Sequence, residues 1–475
     1  MTPPDERTAW AASGAMSLTG RPDGPPLDAP DGFVGRLRAV GETLARSSGE
    51  LGRRVDVDVL ALLGERAALA GLHRGGDVSC GGAARLLPTA DGWLAVNLPR
   101  PDDVALLPAW LAEASAPPDE VSGGAGPDAW AALAAAVASG SAEPLAERAQ
   151  LLGLPVAALP RPGEVGPVAA APPAGLPVVG TRLGGDAGPG PVPPLEGLLV
   201  ADLSSLWAGP LCTQLLQQAG ARVVKVESIH RPDGARRGPA AFFDLLHAGQ
   251  EAVALDFGTE DGRADLCRLL GSAAVIVEGS RPRALEQLGI VADHVLAAAD
   301  RTGAGPSVWV SITGYGRAAP GRDRVAFGDD AAAAGGLVVW DEAGPCFLAD
   351  AVADPCSGLV AAAAVLRALA AGGRWLLDVS MRAVAAHLAG PGASAHPPLD
   401  LAKRDVAAHL AGPGASAHPP LDLAKRDVAA HMAGPGAVGE KGGLVAELPR
   451  ARAAPGRGPR LGEHTEAVLA EVHRR

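Results

Sequence analysis

An α/β fold is predicted over residues 195–383: a mainly parallel sheet covered by helices on both faces, with a smaller α/β domain placed N-terminally. Three observations carry this. Strand and helix patterns alternate, with strands at 197–203, 222–227, 252–257, 273–278 and 307–313 and helices at 210–219, 262–270 and 283–288. The strands are unbroken apolar runs, such as Ala273-Ala274-Val275-Ile276-Val277, which marks strands buried on both faces. Upstream, Asp91-Gly92-Trp93 reads as a turn feeding a strand to residue 97, and alanine-rich helices at 104–114 and 129–138 lead to a short strand at 154–159. In an open parallel sheet, ligands bind at the carboxyl ends of the strands.

In chain order, a short apolar turn region (14–20) precedes a helix at 32–45 and the strand-like Arg54-Val55-Asp56-Val57-Asp58-Val59. The glycine-rich segment Arg74-Gly75-Gly76-Asp77-Val78-Ser79-Cys80-Gly81-Gly82 follows. From 160 to 194, Pro and Gly are so dense that regular structure is not expected, and 167–194 reads as a linker. Residues 384–405 recur unchanged as 406–427 and a third copy begins at 428, so 384–437 reads as a recently duplicated, flexible insert. The expected units are 1–166, the linker, 195–383, the insert, and a segment 438–475 returning to the large domain.

A fainter repeat joins the two halves. Gly14 to Gly20, Asp31-x-x-x-Gly35 and Val55-Asp56-Val57-Asp58 parallel Gly336 to Val339, Asp354-x-x-x-Gly358 and Leu377-Asp378-Val379-Ser380.

Composition narrows the function classes. A formal net charge of −12 argues against nucleic acid or an anionic membrane as the main partner. The five cysteines (Cys80, Cys212, Cys267, Cys346, Cys356) lack C-x-x-C spacing and fit a reducing cytoplasm without disulfides or zinc. The duplicated histidines His387, His409, His431, His396 and His418 share no single helix face, and no metal site is expected from them. The first ten residues are polar and no apolar run nears the ~18 residues of a membrane span, so a soluble cytoplasmic protein is expected.

The segment Ala349-Asp350-Ala351-Val352-Ala353-Asp354-Pro355-Cys356-Ser357-Gly358 sets a carboxylate before a proline and a long Ala/Leu/Val run. That is how a helix begins, and Asp354 is expected at its N-cap, held ionised by backbone N–H groups and the helix dipole. An ionised, positioned carboxylate serves either as a cap or as a nucleophile.

Residues beyond this stretch resemble a known family. Pro194-Leu195-Glu196-Gly197, Leu206-Trp207-Ala208-Gly209-Pro210, Gly220-Ala221-Arg222-Val223-Val224-Lys225-Val226-Glu227, Val277-Glu278 with Arg281-Pro282, Leu285-Glu286-Gln287-Leu288-Gly289, Ser311-Ile312-Thr313-Gly314-Tyr315-Gly316, Asp354 and Leu461-Gly462-Glu463-His464-Thr465 occur in the order of the family III CoA-transferases. This is the CaiB/BaiF family, which includes formyl-CoA and carnitine CoA-transferases and α-methylacyl-CoA racemase. The resemblance implies a Rossmann-like large domain, no permanently bound cofactor, coenzyme A as a substrate with acyl-CoA and carboxylic acid partners, and an interlocked homodimer. It also implies Asp354 as the nucleophile, Gly75, Gly76, Gly81 and Gly82 as the mobile oxyanion loop, and Leu206, Trp207, Ala208, Gly209, Arg281, Gln287 and Leu288 against CoA.

Two features depart from the family. Segments resembling its small domain lie before the large domain, so the chain looks permuted or fused, and Asp31 is then the echo of Asp354 in a truncated copy. A basic element common in the family is replaced by His247-Ala248-Gly249-Gln250-Glu251, leaving Arg222, Arg231, Arg236, Arg237 and Arg281 as candidates for phosphate. CoA transfer is the leading reading. A racemase is the alternative, although its histidine is missing near Ala326-Phe327-Gly328, and a non-catalytic homologue is the other.

Overall fold

The computed structural model describes residues 5–112, 127–160, 176–183, 194–391 and 445–474. Residues 84–158 contain a three-stranded antiparallel sheet of β1 (Ala84–Pro88), β2 (Trp93–Asn97) and β3 (Val156–Ala158). Its own core is built from Leu94, Val96, Trp110, Trp130, Leu133 and Leu145. The strands β4 (Val179–Leu183), β5 (Leu199–Leu203), β6 (Arg222–Ser228), β7 (Glu251–Leu255), β8 (Val275–Glu278) and β9 (Val308–Thr313) follow, then the hairpin β10 (Val338–Asp341) and β11 (Gly344–Phe347), and β12 (Arg374–Ser380). The large sheet has the order β4-β12-β9-β8-β5-β6-β7. Every neighbouring pair in it is parallel except β4 with β12, and Val200 faces both Val223 and Val275 across its ladders. Strands β8 and β9 are buried along their whole length, as their unbroken apolar sequence predicts.

The Ala353–Ala371 helix is the hub of the large domain. It is buried along most of its length and packs against the helices Ala208–Gln218 and Phe33–Glu50. Small side chains allow that approach: a Cβ on Gly358 would stand 2.5 Å from the Ala208 carbonyl oxygen. By length and composition this helix is apolar enough to cross a bilayer, contrary to the expectation that no such run exists. Most of it is buried inside the protein, as suits a core helix.

Four further differences have physical causes. Within the expected 1–166 unit, residues 9–63 share the core of the large domain, through Trp10, Phe33, Leu37, Leu44 and Leu63, while the small sheet forms apart from them. The duplicated helices Phe33–Glu50 and Ala353–Ala371 thus lie against each other. Residues 54–59 are not a strand; Val55 and Val59 are buried, but the truncated copy has no sheet of its own to supply a ladder. The expected linker contributes β4, an antiparallel edge where Gly180 is tolerated. Of the insert, 384–391 belongs to the Met381–Ala389 helix and the turn after it, and 392–437 lies outside the described residues.

The C-terminal helix Thr465–Val472 returns to the large domain, with Val468 and Val472 in the core beside β7. Ala252 donates its N–H to His464 Nδ1 at 3.2 Å, and Ala254 donates to Thr465 Oγ1 at 3.0 Å. This covers the outer edge of the sheet.

Candidate active site

Asp354 is the second residue of the Ala353–Ala371 helix, whose N-cap is Val352 and has no side-chain cap. The expected capping role is corrected accordingly: the carboxylate accepts the backbone N–H of Gly328 on a neighbouring helix. That approach requires glycine. A Cβ at position 328 would stand 2.5 Å from Asp354 Oδ2 and 2.4 Å from the Ala351 carbonyl oxygen.

The expectation that Asp354 is held ionised is also corrected. Burial raises its pKa to about 7. The Arg66 guanidinium opposes this, the carboxylates of Asp329 and Asp350 add to it, and the Gly328 N–H lowers it. Asp329 is likewise pushed up to about 7, chiefly by burial and then by Asp350. The site is therefore a group of three carboxylates facing one guanidinium. Arg66 binds Asp350 through Nε to Oδ2 at 2.8 Å and through Nη2 to Oδ1 at 2.5 Å. Its Cζ lies 5.5 Å from the centre of the Trp207 ring.

The glycine segment divides in two. Gly81 is at the site, where a Cβ would be 3.5 Å from Arg66 Nη2, and Cys80 Sγ lies 3.3 Å from the Ala349 carbonyl oxygen. Ser79 hydrogen-bonds Asp329. Gly82, at φ +75°, closes the turn by donating its N–H to the Ser79 carbonyl at 2.8 Å. Gly76 is committed elsewhere, its N–H on Gly20 O and its carbonyl accepting from Phe347 N–H, both at 2.9 Å. Gly75 forms a tight bridge with Val78. In this conformation Gly76 and Gly82 have no N–H to offer an oxyanion, and among the four expected glycines Gly81 is the one beside Arg66.

Residues expected against CoA gather at the carboxyl ends of the strands. Leu206 is exposed at φ +70° and donates its N–H to Asp233 Oδ1 at 3.0 Å. Trp207 is buried under Arg66, and Gly209 fits because a Cβ would collide with the Ser204 side chain. Gln287 is exposed and Leu288 half-buried. The five candidate arginines separate by partner. Arg222 is tied to Glu251 and Glu471, and Arg236 to Glu227. Arg281 sits in the field of Arg283, Arg100 and Arg231, a basic group partly balanced by Asp323. His247 is buried against Gln250, and desolvation lowers its pKa to about 3, so it is neutral and no substitute for a basic element.

Residues 195–425 match CoA-transferase family III. Over these residues the chain is similar to that family. The chain is similar to an acyl-CoA transferase of Fusarium pseudograminearum, 31% identical over 38% of this chain and 42% of the relative. It is also similar to a formyl-CoA:oxalate CoA-transferase of Escherichia coli, 28% identical over 37% of this chain and 44% of the relative. A CAIB/BAIF family protein from Brucella suis aligns over 41% of this chain and 54% of its own, with 28% identity and a TM-score of 0.36. The chain spans about two-fifths of the length of the curated relatives it matches. Asp354 and Gly328 lie in the family III part, whereas Arg66, Ser79, Cys80 and Gly81 come from outside it.

Sequence reasoning missed Arg66, Asp329 and Asp350 as members of the site. Asp350 stood in the segment singled out, four residues before Asp354, and that spacing is the one local clue. Arg66 had none, because its partner is 284 residues away.

Proposed function

We propose that the chain transfers CoA between an acyl-CoA and a free carboxylic acid, with Asp354 as nucleophile. One observation carries this reading: within the family III part, Asp354 sits at the start of a buried helix on the Gly328 N–H, and a glycine turn of the same chain closes against its segment. The Asp354 oxygen attacks the thioester carbonyl, and collapse of the tetrahedral adduct breaks the C–S bond, expelling CoA as a thiolate and leaving a mixed anhydride. The thiolate attacks the aspartyl carbonyl, freeing the donor acid and leaving an aspartyl-CoA thioester. The acceptor carboxylate then attacks this thioester, and the released thiolate takes the acyl group from the second anhydride, which restores Asp354. Backbone N–H groups aimed at each oxyanion are the expected source of stabilisation, and Gly81 is the nearest expected donor. The phosphates of CoA would meet the group formed by Arg281, Arg231 and Arg283.

The contact of Cys80 with Ala349 within one chain supports a loop acting in cis, whereas the expected interlocked homodimer would complete the site across two chains. Mass photometry against activity at nanomolar protein separates the two arrangements. All five cysteines are unpaired, which suits the reducing cytoplasm expected from the sequence.

The racemase alternative has less support, because the close packing of Gly328 on Asp354 and Ala351 leaves no room for a histidine at that position. Substituting Asp354 with Asn tests the proposal. Transfer between a panel of acyl-CoA donors and acids, followed by mass spectrometry, should fall by at least ~10³-fold, as is usual on removing a nucleophile. Deuterium uptake at the α-carbon without CoA transfer would favour the racemase, and absence of CoA binding a non-catalytic role.

A further inference from the structure

The turn before Asp354 is strained and is held mostly from outside the family III part. Ala349 and Ala351, neither of them glycine, have φ of +51° and +43°. Such residues cost of order 1–3 kcal/mol each and persist only where the surroundings over-determine them. Here four groups do so. Ala349 donates its N–H to Thr19 Oγ1 at 3.0 Å, and its carbonyl accepts from Cys80 Sγ at 3.3 Å. Asp350, between the two strained residues, is wholly buried and is gripped by both arms of Arg66. Ala351 donates to Asp329 Oδ1 at 3.2 Å, and its own carbonyl accepts the Asp354 N–H at 2.9 Å. Three of the four restraining side chains, Thr19, Arg66 and Cys80, come from the N-terminal part of the chain.

We propose that Arg66 is a positioning residue for Asp354: by clamping Asp350 across the strained turn, the N-terminal part of the chain sets the nucleophile that the family III part carries. The inference rests on the reading of Asp354 as the nucleophile. It makes the N-terminal segment a built-in activator, since without Arg66 the turn loses its central anchor and Asp350 is left buried without a partner.

The charged groups around Asp354 are few enough to state a pH expectation. Arg66 reaches it from the Glu65–Ala70 helix, Asp329 from the Gly328–Ala334 helix, and Asp350 from its own turn. Cys80 on the glycine turn and Cys356 on its own helix are thiols raised by burial, hence neutral. The Ala208–Gln218 helix brings Cys212, also raised, and the neutral Gln214. The buried face of the Phe33–Glu50 helix is apolar apart from Ser47 and Ser48.

Two measurements on the full chain test the proposal. The first uses no CoA: Asp354 is labelled with a water-soluble carbodiimide and glycine ethyl ester across pH 5–9 and quantified by peptide mass spectrometry. Carbodiimide consumes the protonated acid, so labelling falls as Asp354 ionises. In Asp350→Asn the Arg66 charge faces one carboxylate fewer, and the midpoint should move to lower pH by about one unit. In Arg66→Gln the labelling profile should broaden or shift, and in Arg66→Lys, which keeps the charge, it should stay nearer the wild type. The second measures CoA transfer. Arg66→Gln should lower kcat by roughly 10²-fold with KM for the acyl-CoA within a few-fold, as for a displaced reacting group, and Arg66→Lys should restore part of it. The double variant should be no worse than either single one, because one clamp is being removed.

A labelling profile and kcat unchanged in folded Arg66→Gln would overturn the proposal. If labelling responds to Arg66 and Asp350 but the wild type transfers no CoA, the clamp stands and the assigned reaction fails.

Discussion

Arg66 and Asp350 stand 284 residues apart in the chain and share two hydrogen bonds at the start of the segment that carries Asp354. The pair is asymmetric: Asp350 has no exposed side-chain surface, whereas Arg66 keeps 30% of its own. Removing the arginine strands a buried anion, while removing the aspartate leaves a cation that can still reach water. Arg66→Ala should therefore lose more stability than Asp350→Ala, by roughly 1–2 kcal/mol, after allowance for the arginine's partial exposure. Urea unfolding at pH 8 checks the order.

The raised carboxyls of Asp354 and Asp329 set the pH dependence. Activity should climb as pH rises through about 7, where Asp354 ionises. Stability should run the other way. A carboxyl whose folded pKa lies above its unfolded value binds more protons when folded, so its stabilisation is complete below about pH 4 and is lost as pH rises through about 7. Asp354→Asn should flatten this slope and raise Tm above pH 7 by several degrees. Scanning calorimetry between pH 5 and 8.5 distinguishes the two proteins, and parallel curves would count against the raised pKa.

Gly328→Ala tests the seat of the carboxylate. The added methyl would displace both Asp354 Oδ2 and the Ala351 carbonyl. A fall in kcat of about 10²-fold is expected, with a stability loss of about 1–3 kcal/mol from overpacking. Stopped-flow turnover and thermal melts provide the comparison.

How much of this was legible in the sequence differs from element to element. Strands such as β8 and β9 could be read because a fully buried parallel strand is a continuous apolar run, and the chain has little else of that form. Asp354 could be singled out because a carboxylate before a proline and a long helix is a local pattern. The Ala240–His247, Ala292–Thr302 and Met381–Ala389 helices escaped notice. So did β4, since its pairing with β12 is fixed by a partner nearly two hundred residues away and its local composition reads as a linker. The ionisation of Asp354 was misjudged for the same reason. Helix geometry predicts a low pKa, whereas the burial and the two neighbouring carboxylates that raise it come from tertiary packing.

A second buried ion pair holds the expected CoA side of the site. Lys225 is wholly buried, with Nζ 2.8 Å from Asp233 Oδ2 and donating to the Ser204 carbonyl at 3.1 Å. Asp233 in turn receives the N–H groups of Leu206 and Ala235. Lys225→Met should cost about 3–5 kcal/mol by leaving Asp233 buried without its cation, and it should weaken CoA binding through Leu206. Isothermal titration with CoA, alongside denaturant melts, separates the two effects.

The most direct test of Asp354 as nucleophile is trapping. The protein is incubated with an acyl-CoA and hydroxylamine, digested, and searched for an aspartyl hydroxamate. The mechanism predicts hydroxamate at Asp354, dependent on acyl-CoA and absent in Asp354→Asn, together with loss of transfer. Transfer persisting in Asp354→Asn, or hydroxamate on another carboxylate such as Asp329, would contradict it.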